Sequence, residues 1–390
     1  MDRTIKTVRL DNFLSFGPES PVIDLKPLNV LVGANGAGKS NFLEAFALLK
    51  ATPTNVVDPI RDGGGAADWI FKGPNRKKES TIEIVTSDEL RYKISFSETS
   101  KRFEITDELI ENAIPDQGEA EPYFFYKYEN NHPVINVKNL NSKGYSTRGL
   151  KRKDIDPEKS ILAQRKDPDS YPELTKLGEY FSQFQIYRNW TFGRYTSPRL
   201  QQPSDLSNKW VSEDARNLGL VLNRLRKDYS NKSKLTNAFA NVYDGAKDFD
   251  IQVESGNVQI YGQEKDFVIP ATRLSDGTLH YLFLMAILSD PEPPPMIIIE
   301  EPELGLHPDL VHQLADALKD ASTRTQIVVT THSAQLIDCF SSSPEDVLVF
   351  DKKNECTNVK RLDAKSLEVW LKDYSLGELW LRGDIGGVRW

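Results

Sequence analysis

The residues Gly33-Ala34-Asn35-Gly36-Ala37-Gly38-Lys39-Ser40 have the types and spacing needed to hold phosphates. Glycines let successive backbone NH groups turn toward an anion in conformations where a Cβ is penalised. Lys39 can reach the β and γ oxygens of a nucleoside triphosphate, and the Ser40 hydroxyl is placed to ligate magnesium. A second cluster, Glu300-Glu301, closes the apolar run Met296-Ile297-Ile298-Ile299. In this pair Glu300 would hold the metal and Glu301 would polarise an attacking water. Leu274-Ser275-Asp276-Gly277-Thr278 precedes a third apolar run, from Leu279 to Leu288. A serine hydroxyl and a glycine NH at the start of a helix can grip a γ-phosphate, because the orphan NH groups and the dipole both face it. His332-Ser333 follows the β-branched run from Gln326 to Thr331.

The elements around these residues are of the kind that would position them. Leu28 to Val32 reads as the strand feeding the phosphate loop, and Phe42, Ala45, Phe46 and Leu49 fall at helical spacing in the segment from Asn41 to Lys50. The run from Met296 lacks alternation, which suits a central parallel strand buried on both faces. Carboxylates at its C-terminal end sit where open α/β sheets bind ligands. Ile5 to Leu10, Val22 to Leu25, Thr81 to Val85, Arg91 to Phe96 and Arg102 to Ile105 alternate as strands, and Tyr123 to Tyr126 reads as another. The acidic, proline-containing stretch from Asp107 to Glu121 reads as an irregular excursion. Pro291 to Pro295 breaks the preceding helix and returns the chain to the core sheet. Beyond His332 the pattern predicts a strand from Val347 to Phe350, an amphipathic helix near Leu367, Trp370 and Leu371, and a terminus, docked or else frayed, ending Gly386-Gly387-Val388-Arg389-Trp390.

These motifs and their order resemble those of ABC-type ATPases of the RecF, SMC and OLD (overcoming lysogenisation defect) group. Leu10-Asp11-Asn12-Phe13-Leu14-Ser15-Phe16 resembles the opening of that group, and Val30 to Ser40 with Asn41 resembles its "VGxNGxGKSN" loop. The strand ending in Glu300-Glu301 then resembles Walker B, and the pentapeptide from Leu274 resembles the ABC signature. Glu300-Glu301-Pro302-Glu303-Leu304-Gly305-Leu306-His307-Pro308 is similar to the "EEPExxLHP" form of the OLD-like branch, where SMC proteins and transporters carry Asp-Glu. The resemblance implies an α/β fold: a P-loop NTPase with an ABC-type ATPase head, a mixed core sheet, further antiparallel strands and a helical lobe bearing the signature. It implies a discontinuous nucleotide-binding lobe, residues 1–153 and 290–390, and a signature lobe, 154–289. His332 would be the switch histidine at the γ-phosphate, and Leu306 and His307 would lie in the D-loop, which crosses the dimer interface in the family. Gln164 is the candidate for the metal-contacting Q-loop residue, with Gln185 as its rival.

Composition limits the function classes. At 390 residues, 39% hydrophobic and 27% charged, the chain is long enough for a two-lobed head. No apolar stretch reaches bilayer-spanning length, the start at Met1-Asp2-Arg3 leads straight into a strand rather than a signal peptide, and Cys339 and Cys356 make no disulfide framework. A cytoplasmic enzyme without a membrane is expected. The span between Lys39 and Ser275 lacks sustained heptads, so no SMC-style coiled-coil arm is expected. Too few residues follow His332 for a TOPRIM nuclease domain. The resemblance therefore implies ATP and Mg2+ as cofactors, a second copy across the ATP sites, DNA as a partner, and a separate effector or nuclease protein. The expected role is gating of DNA access or of that effector in antiphage defence or DNA repair. A regulatory scaffold restraining a toxic partner, or a transporter ATPase subunit, is the alternative. With a net charge of -8, nucleic-acid contact must use a local basic face. The stretch from Lys138 to Lys153, with Lys143, Arg148 and Tyr145, is the first candidate, and Arg76-Lys77-Lys78 the second.

Overall fold

The computed structural model describes residues 3–129, 132–138, 145–243 and 245–387. Lys143 and the terminal Val388-Arg389-Trp390, both named above, lie outside the described residues.

A six-stranded sheet carries the phosphate loop. Its order is Gln185–Tyr187, Met296–Glu300, Gln326–Thr331, Leu28–Gly33, Val347–Lys353 and Cys356–Arg361. The first five strands are parallel and the last is antiparallel, giving the mixed sheet expected. The strands lack hydrophobic alternation because both faces are covered. Leu31, Ile298, Val328 and Phe350 point into one core, and Val30, Val32, Ile297, Ile299, Val329 and Val349 into another. On the first face lies the helix Lys39–Ala51, whose Phe42 packs edge-on against Phe46 and Phe350. On the second lies Asp276–Leu288, an apolar helix buried nearly all round. Truncating a fully buried side chain such as Ile298 to Ala should cost about 2–5 kcal/mol.

Beyond the phosphate-loop helix stands an eight-stranded antiparallel sheet that contributes Val8, Leu10, Ile82 and Tyr92 to the first core. One strand here corrects the sequence reading. Arg102–Asn112 continues through residues expected to be irregular. Three of its acids are matched across the sheet: Asp107 with Lys93 at 2.6 Å, Glu111 with Arg91 at 2.8 Å, and buried Glu108 with the Tyr92 hydroxyl at 2.7 Å. Cross-strand pairing of opposite charges removes the penalty that made these residues look like loop.

Beyond residue 154 the chain still packs against the core sheet. Helix Pro172–Ser182 places Leu174, Leu177 and Phe181 in the first core, and Gln185–Tyr187 is the edge strand of the core sheet, so the chain stays with that sheet to residue 187. The segment preceding the signature helix then contains helices Leu218–Leu225 and Tyr229–Val242 and a small antiparallel sheet built around Ala246–Glu254 and Asn257–Glu264. The 14 residues of Tyr229–Val242 make the longest helix among those described. Near the end of the chain, the expected amphipathic helix is two separate short turns, Ala364–Leu367 and Trp370–Lys372, followed by the capped helix Leu376–Leu381. None of the helices is long and apolar enough to cross a membrane, among the described residues.

Candidate functional site

The phosphate loop is held open by its neighbours as well as by its own glycines. Gly38 stands at φ +107°, and a Cβ there would lie 2.1 Å from Thr357 Oγ1 and 2.8 Å from Ser15 Oγ. Those two hydroxyls are bonded to each other at 2.7 Å, the Thr357 hydroxyl donates to the Ala37 carbonyl, and Asn41 Nδ2 donates to Ser15 Oγ. Thus the opening segment around Ser15 and the hairpin at Thr357 brace the loop from behind. Asn35 and Gly36 face solvent, and Ala34 is half-buried. Lys39 is folded onto its own loop, Nζ donating to the carbonyls of Gly33 at 2.7 Å and Ala34 at 3.2 Å. Burial pushes its ammonium down to about 8, against the opposing pull of Glu301 and Glu300.

Parallel pairing brings the carboxylates beside this loop. The Ser40 hydroxyl donates to Glu300 Oε1 at 2.5 Å. A hydroxyl and a carboxylate oxygen converging next to a phosphate loop are hard donors that suit magnesium, which fills its remaining octahedral positions with water and phosphate oxygens. Ser40 and Glu300 would hold that ion. Glu301 adopts φ +48°, unusual for a residue with a side chain, and its NH donates to the Thr330 carbonyl at 3.0 Å. This turn brings Glu301 Oε1 within 3.5 Å of His332 Nε2. Burial lowers the imidazole below its ordinary value, Lys39 adding to the effect while Glu301 and Glu300 oppose it. Lys39, Ser40, Glu300, Glu301 and His332 are thereby gathered at one end of the sheet.

The signature residues stand differently. Ser275 caps the helix Asp276–Leu288, its Oγ accepting from the Thr278 NH at 3.0 Å. Asp276 accepts from Arg199 at 2.6 Å and from the Gly193 NH at 3.0 Å. Arg199 holds that carboxyl below its ordinary range. Gly277 is pressed against the loop after the carboxylates, where a Cβ would sit 2.9 Å from the Gly305 carbonyl. Among the described residues, no hydrogen bond ties Ser275 or Gly277 to the phosphate loop. Leu306 is half-buried, and His307 is exposed with Nδ1 accepting weakly from the Asp309 NH at 3.4 Å.

A metal role for Gln164 is not supported. Its amide is committed to a local turn, Nε2 donating to the Asp156 and Lys159 carbonyls and Oε1 accepting from the Asp156 NH. Gln185 sits opposite Ile297, three residues before Glu300, at the wrong end of the strand pair. Sequence reasoning missed what that strand does deliver. Two residues beyond Gln185–Tyr187 is Asn189, and then Trp190, whose indole NH donates to the Glu300 carbonyl at 2.6 Å. The Trp190 ring lies tilted against His280 of the signature helix, centroids 4.4 Å apart, and Phe192 stacks on the same imidazole at 5.6 Å. Burial drives His280 down to about 4. Glu303 was also missed: its Oε1 accepts the Thr331 hydroxyl at 2.5 Å and the His332 NH at 3.1 Å. Of the basic candidates, Tyr145–Gly149 forms the exposed edge of the eight-stranded sheet, and Arg76, Lys77 and Lys78 are exposed, Lys77 paired with Asp11.

Residues 28–338 match the family model described as "AAA domain, putative AbiEii toxin, Type IV TA system". Among solved structures, an Smc head bound to the C-terminal winged-helix domain of ScpA superposes with a TM-score of 0.57 at 15% identity, over 93% of this chain and 99% of that one. An Smc head with an extended coiled coil, bound to the C-terminal domain of ScpA and derived from Pyrococcus furiosus, gives 0.53 at 14% identity, over 95% and 99%. The fold is thus that of a P-loop, ABC-type ATPase head. No curated protein matches the sequence.

Proposed function

This chain belongs to the AAA-domain family whose model its residues 28–338 match, and from that premise we propose that it binds ATP with magnesium and hydrolyses the β-γ phosphoanhydride. The observation that carries this reading is the convergence of Lys39, Ser40, Glu300, Glu301 and His332 on one sheet end. Lys39 leaves the Gly33 and Ala34 carbonyls to pair with the β and γ oxygens. Magnesium, when bound at Ser40 and Glu300, would neutralise phosphate charge. Glu301, turned by its positive φ, orients the attacking water and takes its proton, while His332 fixes Glu301 and meets the γ-phosphate edge. Loop NH groups from Gly33 to Asn41 cradle the remaining oxygens.

Ser275 and Gly277 open a long buried helix yet, among the described residues, make no hydrogen bond to the phosphate loop of their own chain. We assign them to the nucleotide of a second copy, arranged head to tail, so that ATP closes the dimer and hydrolysis opens it. The cycle would gate DNA or a separate effector or nuclease protein in the cytoplasm, in defence or repair. The family description as a putative type IV toxin-antitoxin component favours a second reading, in which the ATPase controls a toxic activity independently of DNA. Replacing Glu301 with Gln tests the composite site: with ATP and magnesium, the variant should elute as a stable dimer. A variant that stays monomeric sinks the head-to-tail arrangement.

A further inference from the structure

The turn from Glu300 to Glu303 carries three carboxylates, and the mechanism above uses two. Glu303 points inward. Its Oε1 takes both the Thr331 hydroxyl and the His332 NH, and its Oε2 is sealed from solvent without a partner among the described residues. Burial lifts this carboxyl above its ordinary range, and its two hydrogen bonds only partly oppose the rise. An inward carboxyl at a loop is unfavourable unless its donors are fixed, so these bonds hold the backbone as much as the backbone holds the acid. The chain of contacts continues: Thr331 Oγ1 accepts the Ser333 NH at 3.0 Å, and Ser333 caps the helix Ala334–Asp338. A single turn therefore presents Glu301 to the imidazole of His332 and Glu303 to its backbone.

We propose that Glu303 is a positioning residue that locks residues 331–333 so that the His332 ring stays in register with Glu301. The proposal rests on the ATPase reading above. Among the described residues Glu303 makes no hydrogen bond to the phosphate loop, so its loss should disturb the catalytic step and spare ATP binding. A misplacement of this kind lowers kcat by roughly 10- to 100-fold while leaving KM within about twofold. One amide oxygen can accept both donors, so Glu303→Gln should recover most of the wild-type kcat where Glu303→Ala does not.

The experiment measures ATP turnover for the wild-type chain and both variants against a Lys39→Ala blank, together with ring spectra of the five histidines in each nucleotide-free protein. The His332 resonance, assigned with His332→Gln, should be displaced in Glu303→Ala and remain in place in Glu303→Gln. Wild-type kcat in Glu303→Ala, a Gln variant as impaired as Ala, or an unmoved His332 signal would each overturn the proposal. Wild-type turnover no greater than the blank would refute the ATPase reading, and the ring spectra would still decide the role of Glu303.

Discussion

If Lys39 takes the phosphates as proposed, ATP binding is a proton-linked event. Lys39 is 6% exposed, and burial pushes its ammonium down to about 8 in the nucleotide-free protein. Phosphates placed beside it supply countercharge and carry the bound lysine back above that value. Above pH 8 the free lysine is mostly neutral, so binding must draw a proton from buffer; well below pH 8 the lysine is already charged and no uptake occurs. Uptake per ATP should be near zero at pH 6.5, about half a proton at pH 8 and about 0.9 at pH 9, with affinity weakening toward tenfold per unit above pH 8. Titration calorimetry in two buffers of different ionisation enthalpy reads this number directly. A proton uptake that is the same at pH 6.5 and pH 9, or an unchanged rise in Lys39→Arg, would refute the reasoning. The same burial bears on folding. Because the folded value lies below the unfolded one, charged Lys39 destabilises the fold below pH 8, and the penalty fades between pH 8 and the ordinary lysine value of 10.5. Its ceiling is ~3 kcal/mol, and Lys39→Met forfeits two hydrogen bonds of ~1 kcal/mol each. Nucleotide-free Lys39→Met should therefore be slightly more stable than wild type in urea at pH 7, although it cannot turn over ATP.

Gly38→Ala forces a Cβ into Thr357 and Ser15 at a positive φ, so it should abolish ATP binding and lower the thermal midpoint, as calorimetry would show. Trp190→Phe keeps an aromatic ring against His280 and Phe283 but loses the donation to the Glu300 carbonyl; it should cost about 1 kcal/mol of stability in urea and lower kcat with ATP affinity unchanged. Burial pushes Glu108 up to about 7, so its ionisation removes stability as pH climbs from the ordinary carboxylate range through 7. Relative to wild type, Glu108→Gln should thus gain stability in urea at pH 8 and gain little at pH 4.5.

The parts of the site that the sequence shows plainly are those whose residues are consecutive. Gly33 to Ser40, the apolar run into Glu300-Glu301, and the helix after Ser275 each carry their geometry in a few adjacent positions. Residues whose role arises from tertiary contact were hidden. Gln164 follows an apolar run, as a ligand at a strand end would, yet Ser160 caps a four-residue helix there and the amide turns back on residues 156–159. Gln185–Tyr187 has three residues, too few to show a period, and becomes a core strand only through its parallel register with Ile297, Ile298 and Ile299. Asp107, Glu108 and Glu111 looked like loop because their partners, Lys93, Tyr92 and Arg91, come from a neighbouring strand. Trp190 and Glu303 likewise act on Glu300 and His332 across the fold, and spacing alone gives no sign of it.

The most direct measurement of the central claim is ATP hydrolysis by the purified chain with magnesium, with and without duplex DNA, using Lys39→Ala as the blank. The account predicts turnover above the blank that rises with DNA; turnover unaffected by DNA would move the bet to an ATPase governed by a protein partner. Phosphate release no faster than the blank under every condition would contradict the account.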